Sequence, residues 1–149
     1  LGVYKSIREL DLPILLHYQK SGDKVLNDPS GSYCISEELM FKLASMSGCD
    51  TLHCGMIGGY LDDDPNKITR IMNTLIKNNS VPALSCGMHP GLVDHICDTV
   101  GHANWMANVG GSLFSHPDGT AAGVKAMSQA TTGIHGKEYE SAIKKWGKK

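Results

Sequence analysis

A chain of 149 residues with a formal net charge of −1 suits a single domain with a real core, and it lacks the basic stripe of a nucleic-acid binder. Its apolar runs are only a few residues long, too short to span a bilayer, and no signal-peptide pattern opens it. Five cysteines, an odd number with no Cys-x-x-Cys pair, are unlike a secreted disulfide framework; with 17 glycines and few aromatics they point to reduced, mostly buried thiols in a cytoplasmic α/β protein.

Residues Val3 to Leu10 read as the tail of a helix, and with Leu1 in place of a methionine the chain reads as a piece of something longer. Pro13 to His17, PILLH, is a continuous apolar run of the kind found in a strand buried on both faces. Tyr18 to Tyr33 follows as a long loop, rich in Gly, Asn, Asp and Pro. Ser36 is placed to cap a helix whose first turn carries Glu37 and Glu38. Ile35, Leu39, Leu43 and Met46 give that helix an apolar face, and Gly48 stops it.

Thr51 to Cys54 is the next buried strand, with a Gly- and Asp-rich loop from Gly55 to Pro65. Lys67 to Asn78 is an amphipathic helix with Ile68, Ile71, Met72 and Leu75 inward. Val81 to Cys86 is a strand closed by the turn Gly87 to Gly91, and Leu92 to Val100 is a helix ended by Gly101. Trp105 to Val109 is the last strand, and Thr120 to Thr132 and Lys137 to Trp146 are two closing helices. Strands separated by helices of this length imply parallel pairing through right-handed crossovers. Four such units make either half of an eight-stranded barrel or one small open sheet, with no linker dividing them.

In parallel α/β proteins the chemistry sits at the C-terminal ends of strands. The unusual residues gather there: His17 and Lys20, His53 and Cys54, Ser85 to His89, and Gly110 to Ser112. Gly87 and the Gly110-Gly111 pair, in the last two strand-end loops, allow backbone N–H groups to approach an anion closely. Each residue also has a plain structural reading. Gly110 and Gly111 supply a tight turn, His53 is a satisfied buried histidine, and Ser85 is a small residue in a crowded interior. His116 bonds a loop carbonyl, Asp62 to Asp64 form a solvated loop tip or helix entry, and Cys54 and Cys86 are core. A zinc site from His53, Cys54, Cys86 and His89 is the rival, weakened because adjacent strand residues point to opposite faces.

LASMSGCDTLHCG (Leu43 to Gly55), VPALSCGMHPG (Val81 to Gly91) and VGGSLFSHPDGTAAG (Val109 to Gly123) stand in an order that resembles strands six, seven and eight of the ribulose-bisphosphate carboxylase/oxygenase (Rubisco) large-subunit barrel. The resemblance implies four consecutive βα units of a TIM-type (β/α)8 barrel, its C-terminal half. The N-terminal domain and first barrel strands would then lie outside this chain. It further implies a sugar-phosphate site: Gly87, Gly110 and Gly111 as backbone donors to one phosphate, His53 at the other phosphate end, and Ser85 on the substrate.

Departures from the family pattern are equally specific. Tyr60 follows Gly58-Gly59 where carboxylases carry a loop lysine, and HYQKSG lacks the family's His-Arg pair, leaving Lys20 as its only cation. These point toward the Rubisco-like proteins, whose typical chemistry is enolisation or isomerisation of a sugar phosphate. Mg²⁺ is expected for the complete family enzyme, with its ligands outside this chain. No metal ligand is assigned here, and the isolated chain is expected to be inactive. The alternatives are a non-catalytic half-barrel binding a phosphate compound or partner chain, and a fragment of an archaeal-type carboxylase. The expected partners are a phosphorylated small molecule and either further copies of the chain or a missing N-terminal half, which would cover open sheet edges.

Overall fold

The computed structural model describes residues 1–149, the side chain of Lys24 excepted. Helix α1 (Gly2–Glu9) leads to strand β1 (His17–Tyr18), a 3₁₀ turn (Lys20–Gly22), and helices α2 (Lys24–Asn27) and α3 (Glu37–Met46). Strand β2 (Thr51–Gly55), helix α4 (Pro65–Lys77), strand β3 (Val81–Leu84) and a second 3₁₀ turn (Pro90–Leu92) follow. Helix α5 (Val93–Val100), strand β4 (Met106–Ala107), and helices α6 (Gly111–Phe114), α7 (Thr120–Thr132) and α8 (Lys137–Trp146) complete the chain. The strands form one four-stranded parallel sheet in the order β1-β2-β3-β4, with His17 opposite Thr51 and Tyr18 opposite Leu52. Sequence order and spatial order coincide, as successive βα units require.

The chain divides into two compact units. The first comprises Leu1–Cys54, Asn66–Ala83 and Asn104–Met106; the second comprises Gly55–Pro65, Leu84–Ala103 and Ala107–Lys149.

In the first unit, α4 buries the face its spacing predicts, Ile68, Ile71, Met72 and Leu75. Ser36 caps α3 as expected, its hydroxyl accepting from the Leu39 N–H at 3.2 Å. The face of α3 differs from the expectation. Met40, Phe41, Ala44 and Ser45 are buried, whereas Leu39, Leu43 and Met46 stand 46%, 37% and 67% exposed. Apolar residues surround this helix on most sides, so periodicity alone does not choose the inward one. The first strand is also displaced. Instead of Pro13 to His17 it covers His17–Tyr18, and Ile14 and Leu15 are exposed. Pro13 sits in a tight turn in which the Ile14 N–H reaches the Leu12 carbonyl at 2.8 Å, so the run is bent before it can pair. Arg8 of α1 ties this region down, donating to the Gly48 carbonyl at 2.9 Å and pairing with Asp50.

In the second unit, α7 and α8 are linked through the Glu138 carboxylate, which accepts from Lys125 at 2.9 Å and Gln129 at 2.8 Å. The other end of the Gln129 amide accepts from the Tyr139 N–H at 2.8 Å, so both ends of that amide are used. His116, buried, behaves as expected of a histidine bonding a carbonyl. The Asp118 N–H donates to its Nδ1, which leaves the proton on Nε2 to reach the Glu138 carbonyl at 3.0 Å. Helix α6 is an addition to the expected pattern, which read its residues as part of one long turn. Gly123 lets it pack directly on α7: a Cβ there would lie 2.5 Å from the Leu113 carbonyl oxygen. That close approach fixes the position of the Gly110-Gly111 turn at the start of α6.

All five cysteines are free thiols; Cys49 and Cys54 are buried, and Cys34 is exposed. Among the described residues, no helix is long and apolar enough to cross a membrane.

Candidate functional site

Three segments of the second unit meet around a cleft of about 970 Å³: the loop Gly58 to Tyr60, the turn Ser85 to His89, and the stretch from Asn108 through Ser112. The residues after α8, Gly147 to Lys149, form a fourth wall. Each segment is held by a different device.

The loop after β2 is organised by its own aspartates. Asp62 accepts from the Gly58 N–H at 2.7 Å, and Asp63 accepts from the Met56 N–H at 3.0 Å. These two carboxylates therefore shape the loop from within. The loop is also bonded to the turn after β3, because the N–H groups of Tyr60 and Leu61 both donate to the Cys86 carbonyl, at 3.2 and 3.4 Å. Cys86 presents that carbonyl by adopting φ +78°, a left-handed conformation that costs a non-glycine residue about 1 kcal/mol or more. This also ends β3 two residues before the expected boundary. Cys86 is consequently a cleft residue and not the core residue its apolar neighbours imply. Its sulfur lies 3.5 Å from the Ser85 Oγ. The same sulfur holds the Tyr60 phenol above its ordinary value, so the phenol stays neutral at physiological pH.

The glycines fall into two classes. Gly87 has φ +103°, and a Cβ there would lie 2.5 Å from the Tyr60 nitrogen. A Cβ on Gly59 would collide with the Cys86 carbonyl oxygen. Both are needed so that two backbone segments can touch. Gly110 and Gly111 are different: neither takes a positive φ, and a Cβ on either would meet nothing within 4 Å. Packing requires glycine at neither position, and Gly111 opens α6 as an ordinary helical residue; Gly110, at φ −134° and ψ −70°, lies outside the backbone regions that side chains favour.

On the remaining wall, Trp146 stacks on His89 with ring centroids 6.1 Å apart, and Ser112 Oγ donates to the Met88 carbonyl at 2.7 Å. The His89 Nδ1 is buried without a hydrogen-bond partner. Burial, and secondarily the charge of Lys149, lowers the His89 pKa below its ordinary 6.5. No acidic side chain lines the cleft, whereas Lys148 and Lys149 both do.

Of the residues expected at the site, Ser85, Gly87, Gly110, Gly111 and Tyr60 are brought together here. His53 and Lys20 belong to the first unit. His53 is buried with its Nδ1 3.2 Å from the Gln19 amide nitrogen, and Lys20 is paired with Glu37 at 3.0 Å. The lysines after α8 were not anticipated, because Lys-rich termini usually fray and nothing in their spacing marks them as a wall. Among the described residues, no three His, Cys, Asp or Glu side chains converge as a metal would require, so the residues present do not fit the Mg²⁺ expected of the complete family enzyme.

Residues 77–148 match the family of the ribulose bisphosphate carboxylase large chain, catalytic domain. The chain belongs to the Rubisco large-chain family. It is 31% identical over 122 residues to a ribulose bisphosphate carboxylase of Pyrococcus furiosus, covering 71% of this chain and 29% of that one. It is 27% identical over 150 residues to a 2,3-diketo-5-methylthiopentyl-1-phosphate enolase of Microcystis aeruginosa, covering 93% and 38%. The octameric Rubisco of Pyrococcus horikoshii, solved with sulfate, superimposes with a TM-score of 0.85 at 24% identity, over 98% of this chain and 38% of that one. The Rubisco-family chain therefore has the fold of consecutive βα units of a TIM-type barrel, and it spans well under half the length of these relatives.

Proposed function

We propose that the cleft of the second unit binds the phosphate of a phosphorylated sugar or sugar-like molecule, as one part of an enolase- or isomerase-type member of the Rubisco family. The observation that carries this is the Gly110-Gly111 pair: two glycines that packing does not demand, with Gly111 free of any conformational need as well, bordering a cleft lined by lysines and no acidic side chain. A ligand that must approach the backbone closely accounts for them. The N–H groups opening α6 are then donors to the phosphate oxygens, as the first amides of a helix are free to be. Ser85 positions the substrate by hydrogen bonding. His53 and Lys20, held by Gln19 and Glu37 in the first unit, carry no part of this reading.

One feature favours enolisation or isomerisation over carboxylation. Tyr60 stands where the family resemblance places a lysine, and a neutral phenol is a poor stabiliser of the negative charge that develops on CO₂ addition. Proton abstraction itself is not assigned to any residue of this chain, whose contribution is substrate binding.

The test is calorimetric titration with inorganic phosphate and a sulfate soak of crystals. Binding at the Gly110 and Gly111 amides is expected, and the methyl of Gly111→Ala, by holding the phosphate off the amide, weakens it by about 1–3 kcal/mol, the worth of a charge-assisted hydrogen bond. Density elsewhere with this turn empty overturns the reading.

A second reading, association without catalysis, is favoured by the exposed Leu39, Leu43 and Met46 of α3 together with Leu15 beside the edge strand β1. An uncovered sheet edge with apolar residues beside it is a site for a further chain. We propose that these residues are covered in a larger assembly, either of like chains or with a complementary barrel half.

A further inference from the structure

The cleft carries a cation in a place no sequence pattern indicates. After α8 the chain turns at Gly147 and runs along the cleft, where it is bedded tightly. A Cβ on Gly91 would collide with the Gly147 carbonyl oxygen, and the Lys149 N–H donates to the Gly91 carbonyl at 3.3 Å. Trp146 anchors the start of this segment between His89 and His116, with ring centroids 6.1 Å away in both cases.

The two lysines that follow differ in what holds them. Lys148 is neutralised by Asp94 at 2.8 Å. Lys149 has no carboxylate partner among the described residues, and its side chain lies across the loop after β2. A Cβ built on Gly58 would be 3.2 Å from the Lys149 Cδ and 3.4 Å from its Nζ. Its ammonium group is thus beside the glycine pair that precedes Tyr60, the position at which the loop itself offers no cation.

We infer that Lys149 is the cationic phosphate ligand of this cleft, delivered by the segment after α8 in place of a lysine on the loop after β2. This rests on the phosphate reading above and adds the charge that reading lacks. Backbone amides fix the direction of the phosphate oxygens, and a flexible ammonium group neutralises them as a point charge. The same arrangement selects against cationic ligands, since no acidic side chain lines the cleft.

The experiment is calorimetric titration with inorganic phosphate at fixed ionic strength, on the whole chain and four variants. Lys149→Ala is expected to weaken binding about 3- to 10-fold, as for a partly solvated charged contact, while Lys149→Arg keeps most of it. Gly91→Ala, which keeps the lysine but displaces the segment, should weaken binding as Lys149→Ala does. Lys144→Ala, outside the cleft, controls for net charge and leaves affinity unchanged. A ligand-free readout runs in parallel: the His89 imidazole, followed by NMR, titrates at a higher pH in Lys149→Ala. If phosphate binds and depends on Gly111 but is indifferent to Lys149, the role of Lys149 is overturned and the phosphate reading stands. If no phosphate binds at all, both fall. An unchanged His89 titration also overturns the placement of Lys149.

Discussion

Gly111 and Cys86 make opposite statements about their positions. At Gly111 the backbone is that of the first residue of a helix and the space beside it is open, so alanine fits the free protein better than glycine does. Gly111→Ala is therefore expected to stabilise the fold by about 0.5–1 kcal/mol while weakening phosphate binding, a trade that chemical denaturation and calorimetry measure on the same sample. A loss of stability would mean that the turn is glycine for structural reasons. At Cys86 the side chain is present where the backbone disfavours one. Cys86→Gly should raise stability by about 1 kcal/mol by removing the left-handed penalty, with the Tyr60 and Leu61 bonds kept. The glycine pair was legible as a turn from sequence alone. The distinction between glycines needed by the fold and glycines free of it was not, because it depends on what lies opposite an absent Cβ.

At the level of the elements, helices with one apolar stripe were readable and those with several were not. Helix α4 buries Ile68, Ile71, Met72 and Leu75 because no other side of it is apolar. In α3, Met40 and Phe41 compete with Leu39 and Leu43, and the inward side is decided by tertiary packing. Strand existence was legible but strand length was not, since β1 is cut short by the Pro13 turn and β3 by the conformation of Cys86. The α7–α8 pair depends on Glu138, whose carboxyl Lys125 and then Gln129 hold down at about 2, below the ordinary 4.5. A carboxylate depressed in the folded state contributes stability above its unfolded value, and that contribution is lost as pH falls through the folded one. Stability should accordingly decline from near pH 4.5 toward pH 2, and Glu138→Gln should flatten that part of the profile. A slope unchanged in the variant would place the acid sensitivity elsewhere.

For the whole molecule, the order of the βα units was legible because each strand is followed by its helix, and parallel neighbours need no other information. What the exposed side chains serve was not legible, because an apolar residue in a sequence reads as core by default. Leu43 at 37% and Met46 at 67% exposure belong to no core of this chain. If a further chain covers them, Leu43→Glu reduces the mass measured by light scattering at micromolar concentration, with monomer stability changed by no more than about 0.5 kcal/mol. A wild-type chain that is already monomeric under those conditions contradicts the association.

The loop after β2 is sewn to the turn after β3 by two backbone bonds that share one oxygen, the Cys86 carbonyl, which receives both Tyr60 and Leu61. Its amides at Met56 and Gly58 are consumed by its own aspartates. A rim built this way has no half-open position: lifting any part of it strands several polar groups at once. Amide protons at Met56, Gly58, Tyr60 and Leu61 should therefore exchange with solvent deuterium at one shared rate, in the absence of any ligand. Phosphate should then reach the cleft at a rate that loop ordering does not limit.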